Sequence, residues 1–195
     1  LMDQLRIVRL NMTNNKAHLT IGIFCLIATG ATSADQSDSR LDALFVTIQQ
    51  TTSINVANDA ENKIWEIWLE NDNQQTETRL ADGIESMNTD PDKALKVFDE
   101  LISGTPDFAE AWNKRATLHY LLGDYPASLS DIEKTLALEP RHFGALSGLG
   151  LVYWVQGEYL KAKAAFEAVL LVHPHSTGVR RNIERINDHL RANSA

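Results

Sequence analysis

The chain has 195 residues, of which 26 are acidic and 18 are basic, giving a formal net charge of −8 at pH 7. This balance disfavours nucleic acid and anionic lipid as primary partners, because an acidic chain is repelled by both.

Residues 1–34 have the form of a secretory signal peptide. From Met12, or from Met2 if translation begins there, a basic start is followed by an apolar run and an ending of small residues. Thr32 and Ala34 supply the small residues before the expected cleavage site. We therefore expect cleavage after Ala34 and export of the protein.

Cleavage after Ala34 would remove Cys25, the single cysteine of the chain. The mature chain would then have no disulfide, thiolate nucleophile or cysteine metal site. The apolar run is short for a permanent span, since a spanning helix needs about 20 apolar residues. We expect a periplasmic or secreted protein with no stable membrane insertion after leader removal. The alternative is a membrane anchor formed by an uncleaved amino-terminal helix.

Residues 35–74 predict a pair of amphipathic helices. Apolar residues recur at helical spacing in two stretches, 41–48 and 57–68. Extending the 34-residue period of the following sequence backwards would make this hairpin a degenerate repeat, and an independent pair of helices fits the same pattern. Trp65 and Trp68 are expected to be packing residues, with an aromatic patch facing a partner as the alternative.

From residue 75 the sequence follows that period of 34 residues. Pro106, Pro140 and Pro174 are separated by it, and each closes a similar pattern of small and large apolar residues. The pattern predicts three consecutive helical hairpins, over residues 75–108, 109–142 and 143–176. The first hairpin is degenerate, because its first helix is placed by the period alone.

The third hairpin carries the fullest set of repeat residues. Gly150 and Ala162 are small where the paired helices cross closely, and Tyr159 and Phe166 fill the gap between one hairpin and the next. Pro174 ends the hairpin because proline lacks an amide donor. We expect all of these to be core packing residues.

Residues 177–195 predict one further helix and a tail. Val179, Ile183, Ile186 and Leu190 give the helix an apolar face, and charged residues occupy the rest of it. Repeat arrays need such a helix to cover the last exposed core face, so we expect it to be a cap.

These residues and their spacing resemble the tetratricopeptide repeat (TPR). The match is nearly complete over residues 143–176 and looser over 109–142, where Arg115 and His119 replace the expected leucine and tyrosine. The resemblance implies an all-α fold, a right-handed superhelical stack of antiparallel helix hairpins (a TPR-like α-solenoid) with a C-terminal capping helix. It also implies a concave surface that holds a protein or peptide partner.

The resemblance further implies which residues line a peptide-binding groove, since the first helices of the repeats line it in this family. The matching positions are Asn113, Thr117, Tyr120, Leu121, Ser147, Leu151, Trp154, Val155, Arg181, Arg185 and His189. A row that runs from amides and hydroxyls through an indole to two arginines suits an extended peptide with an apolar side chain and a carboxylate. In the alternative, Trp154 packs against the cap and the arginines are solvated.

One version of the family grips the C-terminal carboxylate of chaperones through a set of lysines and asparagines. Gly148 and Gly178 occupy two of the corresponding positions, and Lys114 alone remains. We therefore do not expect binding of chaperone tails.

The sequence contains no glycine-rich phosphate loop, no nucleophile elbow and no HExxH motif. We accordingly expect no catalytic residue, no cofactor and no metal ion. His142, His173 and His175 lie at repeat boundaries, where we expect exposed loop side chains; shared metal ligands are the alternative.

The expected function is that of a non-enzymatic protein–protein interaction module, an exported adaptor or scaffold that holds a partner protein or peptide in its concave groove. The alternative is a structural chain, self-associating as a homodimer or serving as the helper subunit of an envelope complex. In that case the groove would be covered by the chain's own amino-terminal hairpin.

Overall fold

The computed structural model describes residues 38–193, and nine α-helices make up the regular secondary structure of that range. They are α1 (Ser39–Gln50), α2 (Ile54–Leu69), α3 (Gln74–Ser86), α4 (Pro91–Gly104), α5 (Ala109–Leu121), α6 (Tyr125–Leu138), α7 (Phe143–Val155), α8 (Tyr159–Val172) and α9 (Thr177–Ala192). The expected leader, its cleavage site and Cys25 lie outside the described residues. None of these nine helices has the length and apolar character that crossing a bilayer requires.

Six of the helices form three consecutive hairpins, α3–α4, α5–α6 and α7–α8, and α9 packs on the last of them. Val179 and Ile186 of α9 are buried in the same apolar cluster as Phe166 of α8. The predicted all-α stack of helix hairpins with a C-terminal capping helix is therefore confirmed.

The second helices of the first two hairpins begin with the same pair of signals. Asp90 and Asp124 are the N-caps of α4 and α6, and each carboxylate accepts a hydrogen bond from the amide three residues later, at 3.1 and 3.2 Å. A proline follows in the first turn of each helix, where no amide donor is needed. Gly123 and Gly157 make the tight turns before α6 and α8, with φ of 79° and 77° that favour glycine.

In two of the hairpins a glycine of the first helix faces a phenylalanine of the second. A Cβ atom added to Gly150 would lie 2.5 Å from Cε1 of Phe166, so the absence of a side chain is what allows the contact. Gly83 stands in the same relation to Phe98 in the first hairpin, at 2.6 Å. A strict 34-residue period would place Asp82 there. The first helix of that hairpin is therefore shifted by one residue relative to the later repeats.

The buried apolar side chains form three clusters. One joins α3 and α4 to one face of α5, and the second joins α5 and α6 to α7. The third joins α7, α8 and α9 to the amino-terminal hairpin α1–α2. This hairpin therefore shares its core with the third repeat, although the first repeat is its neighbour in sequence.

Candidate functional site

A cleft of about 150 Å³ opens between α5 and α7, the first helices of the second and third repeats. Helix α6 contributes Ser128 and Ile132 to its lining. The other lining residues are Asn113, Ala116, Thr117, Tyr120, Gly144, Ala145, Ser147, Gly148 and Leu151. Aliphatic side chains and glycines dominate this set, with hydroxyl groups and one amide among them.

Small residues on α7 keep the cleft open. Gly144, Ala145, Ser147 and Gly148 all line it, and a Cβ atom added to Gly148 would already lie 3.5 Å from Cδ1 of Ile132. Large side chains at these positions would fill the space between the two helices. The cleft thus follows directly from a run of small residues in the sequence.

The structure brings together several of the residues that the sequence assigned to a groove. Asn113, Thr117 and Tyr120 of α5 line the cleft with Ser147 and Leu151 of α7. The Asn113 and Thr117 side chains also donate hydrogen bonds within α5, to the Glu110 carboxylate at 3.1 Å and to the Asn113 carbonyl at 2.9 Å.

Two exposed apolar side chains that do not line the cleft lie at the carboxyl ends of its two helices. Leu121 follows Tyr120 at the end of α5 and is 57% exposed. Val155 lies one turn beyond Leu151 at the end of α7 and is 44% exposed. The apolar surface is therefore accessible from this end.

Trp154, Arg181 and Arg185 are not among the residues that line the cleft. Trp154 is half-buried, and its ring lies edge-on to Tyr159 with centroids 6.5 Å apart. His189 of α9 packs on the same tyrosine, at 4.1 Å between centroids. Trp154 thus contacts α8, and its predicted place in a groove stays a prediction.

Arg181 and Arg185 are exposed and lie one turn apart on α9. Every other arginine in residues 38–193 bonds to a carboxylate or to a backbone carbonyl, whereas these two do neither within that range. Two guanidinium groups with no counter-charge among the described residues can bind a carboxylate of another molecule.

The boundary histidines are buried or partly buried, so the expectation of exposed loop side chains is wrong. His142 is fully buried, His173 is 3% exposed, and His175 is half-buried. The reason is a pair of distant carboxylates: Nε2 of His142 lies 2.9 Å from Glu110, and Nε2 of His173 lies 2.9 Å from Glu61. Within residues 38–193, no three His, Cys, Asp or Glu side chains are grouped so as to hold a metal ion.

Glu110 is the centre of a buried polar cluster. It bonds to His142 and to Lys114, whose Nζ lies 2.6 Å from the carboxylate. Nδ1 of His142 accepts the amide of Ala145 at the start of α7, so the ring proton lies on Nε2 and is donated to Glu110. Burial alone raises the pKa of Glu110, but the hydrogen bond from His142 and the charge of Lys114 outweigh burial and lower that pKa.

Sequence reasoning missed Glu110. The available signal was its spacing of four residues from Lys114, which places the two side chains together on one helix. That spacing is common on exposed helix faces, so it did not indicate a buried position.

All three boundary histidines face the amino-terminal hairpin. Trp68 of α2 stacks on His142, with centroids 4.0 Å apart and ring planes at 9°. His173 bonds to α2 through its glutamate, and Nε2 of His175 lies 2.9 Å from the carbonyl oxygen of Thr51, after α1. Trp68 is fully buried, which confirms it as a packing residue.

The repeated part of the chain matches a known family. A family model described as tetratricopeptide repeat matches residues 88–131 and 114–177. A TPR repeat-containing protein of Rhizobium etli is 35% identical over 158 residues, which are 79% of this chain and 76% of that protein.

Solved structures share the fold. The TPR domain of Sgt2 from Aspergillus fumigatus superposes with a TM-score of 0.58 at 21% identity, over 63% of this chain and 84% of that domain. The first TPR domain of Spaghetti (RPAP3), solved with the HSP90 peptide SRMEEVD, gives a TM-score of 0.58 at 20% identity, over 62% of this chain and 96% of that one. Likeness at this identity is a likeness of fold.

Proposed function

Because the chain belongs to the tetratricopeptide repeat family, we propose that it is a non-enzymatic interaction module that holds an extended peptide segment of a partner protein in the α5–α7 cleft. The observation that carries this proposal is the cleft itself. It is an open, largely apolar space between two first helices, and its described lining comes from α5, α6 and α7 alone. The amino-terminal hairpin does not fill it, which favours an available groove over one covered by the chain itself.

The chemistry of the surface suggests the kind of segment that it holds. The cleft, together with Leu121 and Val155 beyond it, suits apolar side chains that would otherwise be exposed to water. Arg181 and Arg185, which have no ion-pair partner among residues 38–193, supply positive charge on α9, the next first-helix position of the array. We therefore propose a segment with an apolar side chain in the cleft and an acidic group directed toward α9.

Chaperone tails remain outside this proposal. Lys114, the one remnant of the carboxylate-gripping set, lies 2.6 Å from the buried Glu110 and 5.2 Å from the centre of the Trp65 ring. The positive charge of Lys114 is therefore already paired with a carboxylate of the protein itself. The HSP90 peptide bound by the Spaghetti domain is a property of that domain.

We further propose that the module acts after export, as an adaptor in the bacterial envelope. The support is the leader-like sequence of residues 1–34, with small residues before the expected cleavage after Ala34. Amino-terminal sequencing of the protein from its native host would test this. A first residue of Asp35 supports export with cleavage, and a mature chain that retains the apolar run contradicts it.

Peptide selection tests the binding proposal. The protein is used to select from a phage-displayed library of random peptides, and the dissociation constants of the winning sequences are then measured for variants. Leu151→Glu places a charge in the cleft and should weaken binding at least about tenfold. Leu160→Glu is the matched control, because Leu160 lies on α8, is 71% exposed and is not part of the cleft.

The two substitutions have opposite expected outcomes. Loss of binding with Leu151→Glu and normal binding with Leu160→Glu would support the cleft as the site. Equal loss with both, or selection of peptides that bind both variants normally, would place recognition elsewhere. Failure to select any peptide from a diverse library would remove the proposal of a peptide groove.

A further inference from the structure

Trp65 of the amino-terminal hairpin contacts α7, and the ammonium group of a lysine of α5 lies over its ring. A Cβ atom added to Gly144, which lines the cleft near the start of α7, would lie 2.6 Å from Cη2 of Trp65. On the other side, Nζ of Lys114, in the middle of α5, lies 5.2 Å from the centre of the indole ring. The indole therefore lies against the first turn of α7 and beside a lysine side chain from α5.

The position of this ring is fixed from several directions. Its plane is nearly perpendicular to that of Trp68 and to that of Phe143, with centroids 5.2 and 5.1 Å away. Trp68 is itself stacked on His142, whose ring is held at both nitrogens. An aromatic side chain held by such contacts is a rigid wall rather than a mobile surface group.

The two ends of the cleft consequently differ. At the carboxyl ends of its helices, Leu121 and Val155 are exposed and leave the apolar surface open. Near the amino end of α7, the indole of Trp65 lies against Gly144, and the nearby ammonium group of Lys114 is neutralised by Glu110. This end offers an aromatic surface without a free charge.

We propose that Trp65 is the end wall of the groove and determines which peptides fit. A segment that lies along the cleft must end, or turn away from the array, at the side chain that contacts the indole. The favoured ligand is therefore a segment whose apolar side chain lies near a chain end or a turn, with an uncharged group against Trp65. This inference rests on the proposed function, and it assigns part of the binding site to a hairpin that is not itself a repeat.

Lengthening the bound peptide at each end tests whether Trp65 forms the end wall of the groove. The best peptide selected with the wild-type protein is lengthened by Gly-Ser-Gly-Ser, at its amino end in one version and at its carboxyl end in another. One of the two extensions should weaken binding to the wild type about tenfold, and the other should have little effect. Trp65→Ala should remove that penalty, while Trp65→Phe, which keeps a smaller ring, should retain part of it.

Two glycines supply a matched pair of variants. Gly144→Ala would push the tip of the indole away, because the new Cβ would lie 2.6 Å from it, so this variant should lose the extension penalty as Trp65→Ala does. Gly148→Ala also narrows the cleft, but its nearest neighbour would be Cδ1 of Ile132 at an ordinary 3.5 Å. Gly148→Ala should weaken the binding of all peptides to the same extent, so the extended peptide should still bind more weakly than the parent peptide. Circular dichroism confirms that each variant is folded before binding is measured.

The outcomes separate this inference from the proposed function. If selected peptides depend on Leu151 but both extensions bind the wild type as well as the parent peptide, the end wall is wrong and the groove stands. The inference is also overturned if Trp65→Ala and Trp65→Phe keep the full penalty. If the wild type selects no peptide that depends on Leu151, the groove and its end wall are both rejected.

Discussion

The first and third repeats contain the same helix hairpin in different surroundings. In each, a glycine of the first helix lies against a phenylalanine of the second, Gly83 against Phe98 and Gly150 against Phe166. The first repeat extends its apolar cluster to α5, whereas the third shares a cluster with the cap and the amino-terminal hairpin. Packing inside a hairpin thus follows the repeat pattern, while helices outside the pattern decide how far the core extends.

Polar groups mark the same difference. The residue one period before His142 is Phe108, which is buried and has an apolar side chain that cannot form a hydrogen bond. At the third repeat, the histidine bonds to Glu110, caps α7 and stacks under Trp68. The polar boundary residue of the third repeat therefore adds a ring-stacking contact with α2 to the apolar cluster that they share.

The largest expected effect comes from removing the two core phenylalanines. Phe98→Ala and Phe166→Ala should each cost about 3–5 kcal/mol, since both rings are fully buried. Phe166→Ala should in addition speed amide exchange in α1 and α2, because those helices share its cluster. Urea unfolding measures the first effect and hydrogen exchange the second. Faster exchange in α1 and α2 with Phe98→Ala would contradict the comparison.

Alanine at the two glycines tests the one-residue shift of the first repeat. Gly83→Ala and Gly150→Ala should each destabilise the protein by about 1–3 kcal/mol, because the new methyl group meets a phenylalanine ring. Asp82→Ala should change stability by no more than about 0.5 kcal/mol, since this exposed residue is not at the crossing. Thermal unfolding distinguishes these results. A larger loss of stability with Asp82→Ala than with Gly83→Ala would mean that the first repeat follows the strict 34-residue period.

Acid should weaken the attachment of the amino-terminal hairpin. The hydrogen bond from His173 lowers the pKa of Glu61 below its ordinary value of 4.5. The contribution of ionised Glu61 to stability is therefore fully present above pH 4.5, the ordinary pKa. It is lost as the pH falls through the lower pKa that Glu61 has in the folded protein. Glu61→Gln should reduce stability at pH 7 and make no difference in strong acid.

The stability of the wild type and of Glu61→Gln, measured by urea unfolding from pH 7 down to pH 3, checks this sign. Glu110 is present in both proteins, so subtraction of the two curves isolates the contribution of Glu61. A gap between them that widens in acid would contradict the assignment.

The smallest effect on stability is expected on α9. Arg181→Glu with Arg185→Glu should change the free energy of unfolding by about 0.5 kcal/mol or less, because neither side chain has a partner among the described residues. Binding of selected acidic peptides should nevertheless fall. Arg115→Glu is a contrasting control that should cost far more, since it leaves the buried Asp131 without its bidentate partner. Marked destabilisation by the α9 variant would mean that the two arginines support the fold.

Much of this architecture could be predicted from the sequence, because the repeat period, the apolar stripes and the capping residues are local signals. The position of α1–α2 could not, since an apolar stripe shows that a helix face is buried and does not show against which helix. The burial of His142 and His173 escaped prediction for a similar reason. Their glutamate partners, Glu110 and Glu61, lie 32 and 112 residues away in the chain.

The candidate site was predictable in part. Thr117, Ser147 and Leu151 line the cleft, and their spacing of one repeat or one turn indicates a shared face. The contact between Trp65 and Gly144 could not be found in this way, because it joins a helix outside the repeat to one within it. The sequence around Arg181 and Arg185 does not indicate whether their guanidinium groups form ion pairs in the folded protein.

Photo-crosslinking tests the central claim, that the α5–α7 cleft holds a partner's peptide, most directly. A selected peptide is synthesised with photo-leucine in place of its apolar residue, irradiated with the protein, and the crosslinked residue is identified by mass spectrometry. We predict crosslinks to cleft residues of α5 and α7, Thr117 and Leu151 among them, that disappear with Leu151→Glu. Crosslinks confined to α8, or to the outer face of α1–α2, would contradict the account.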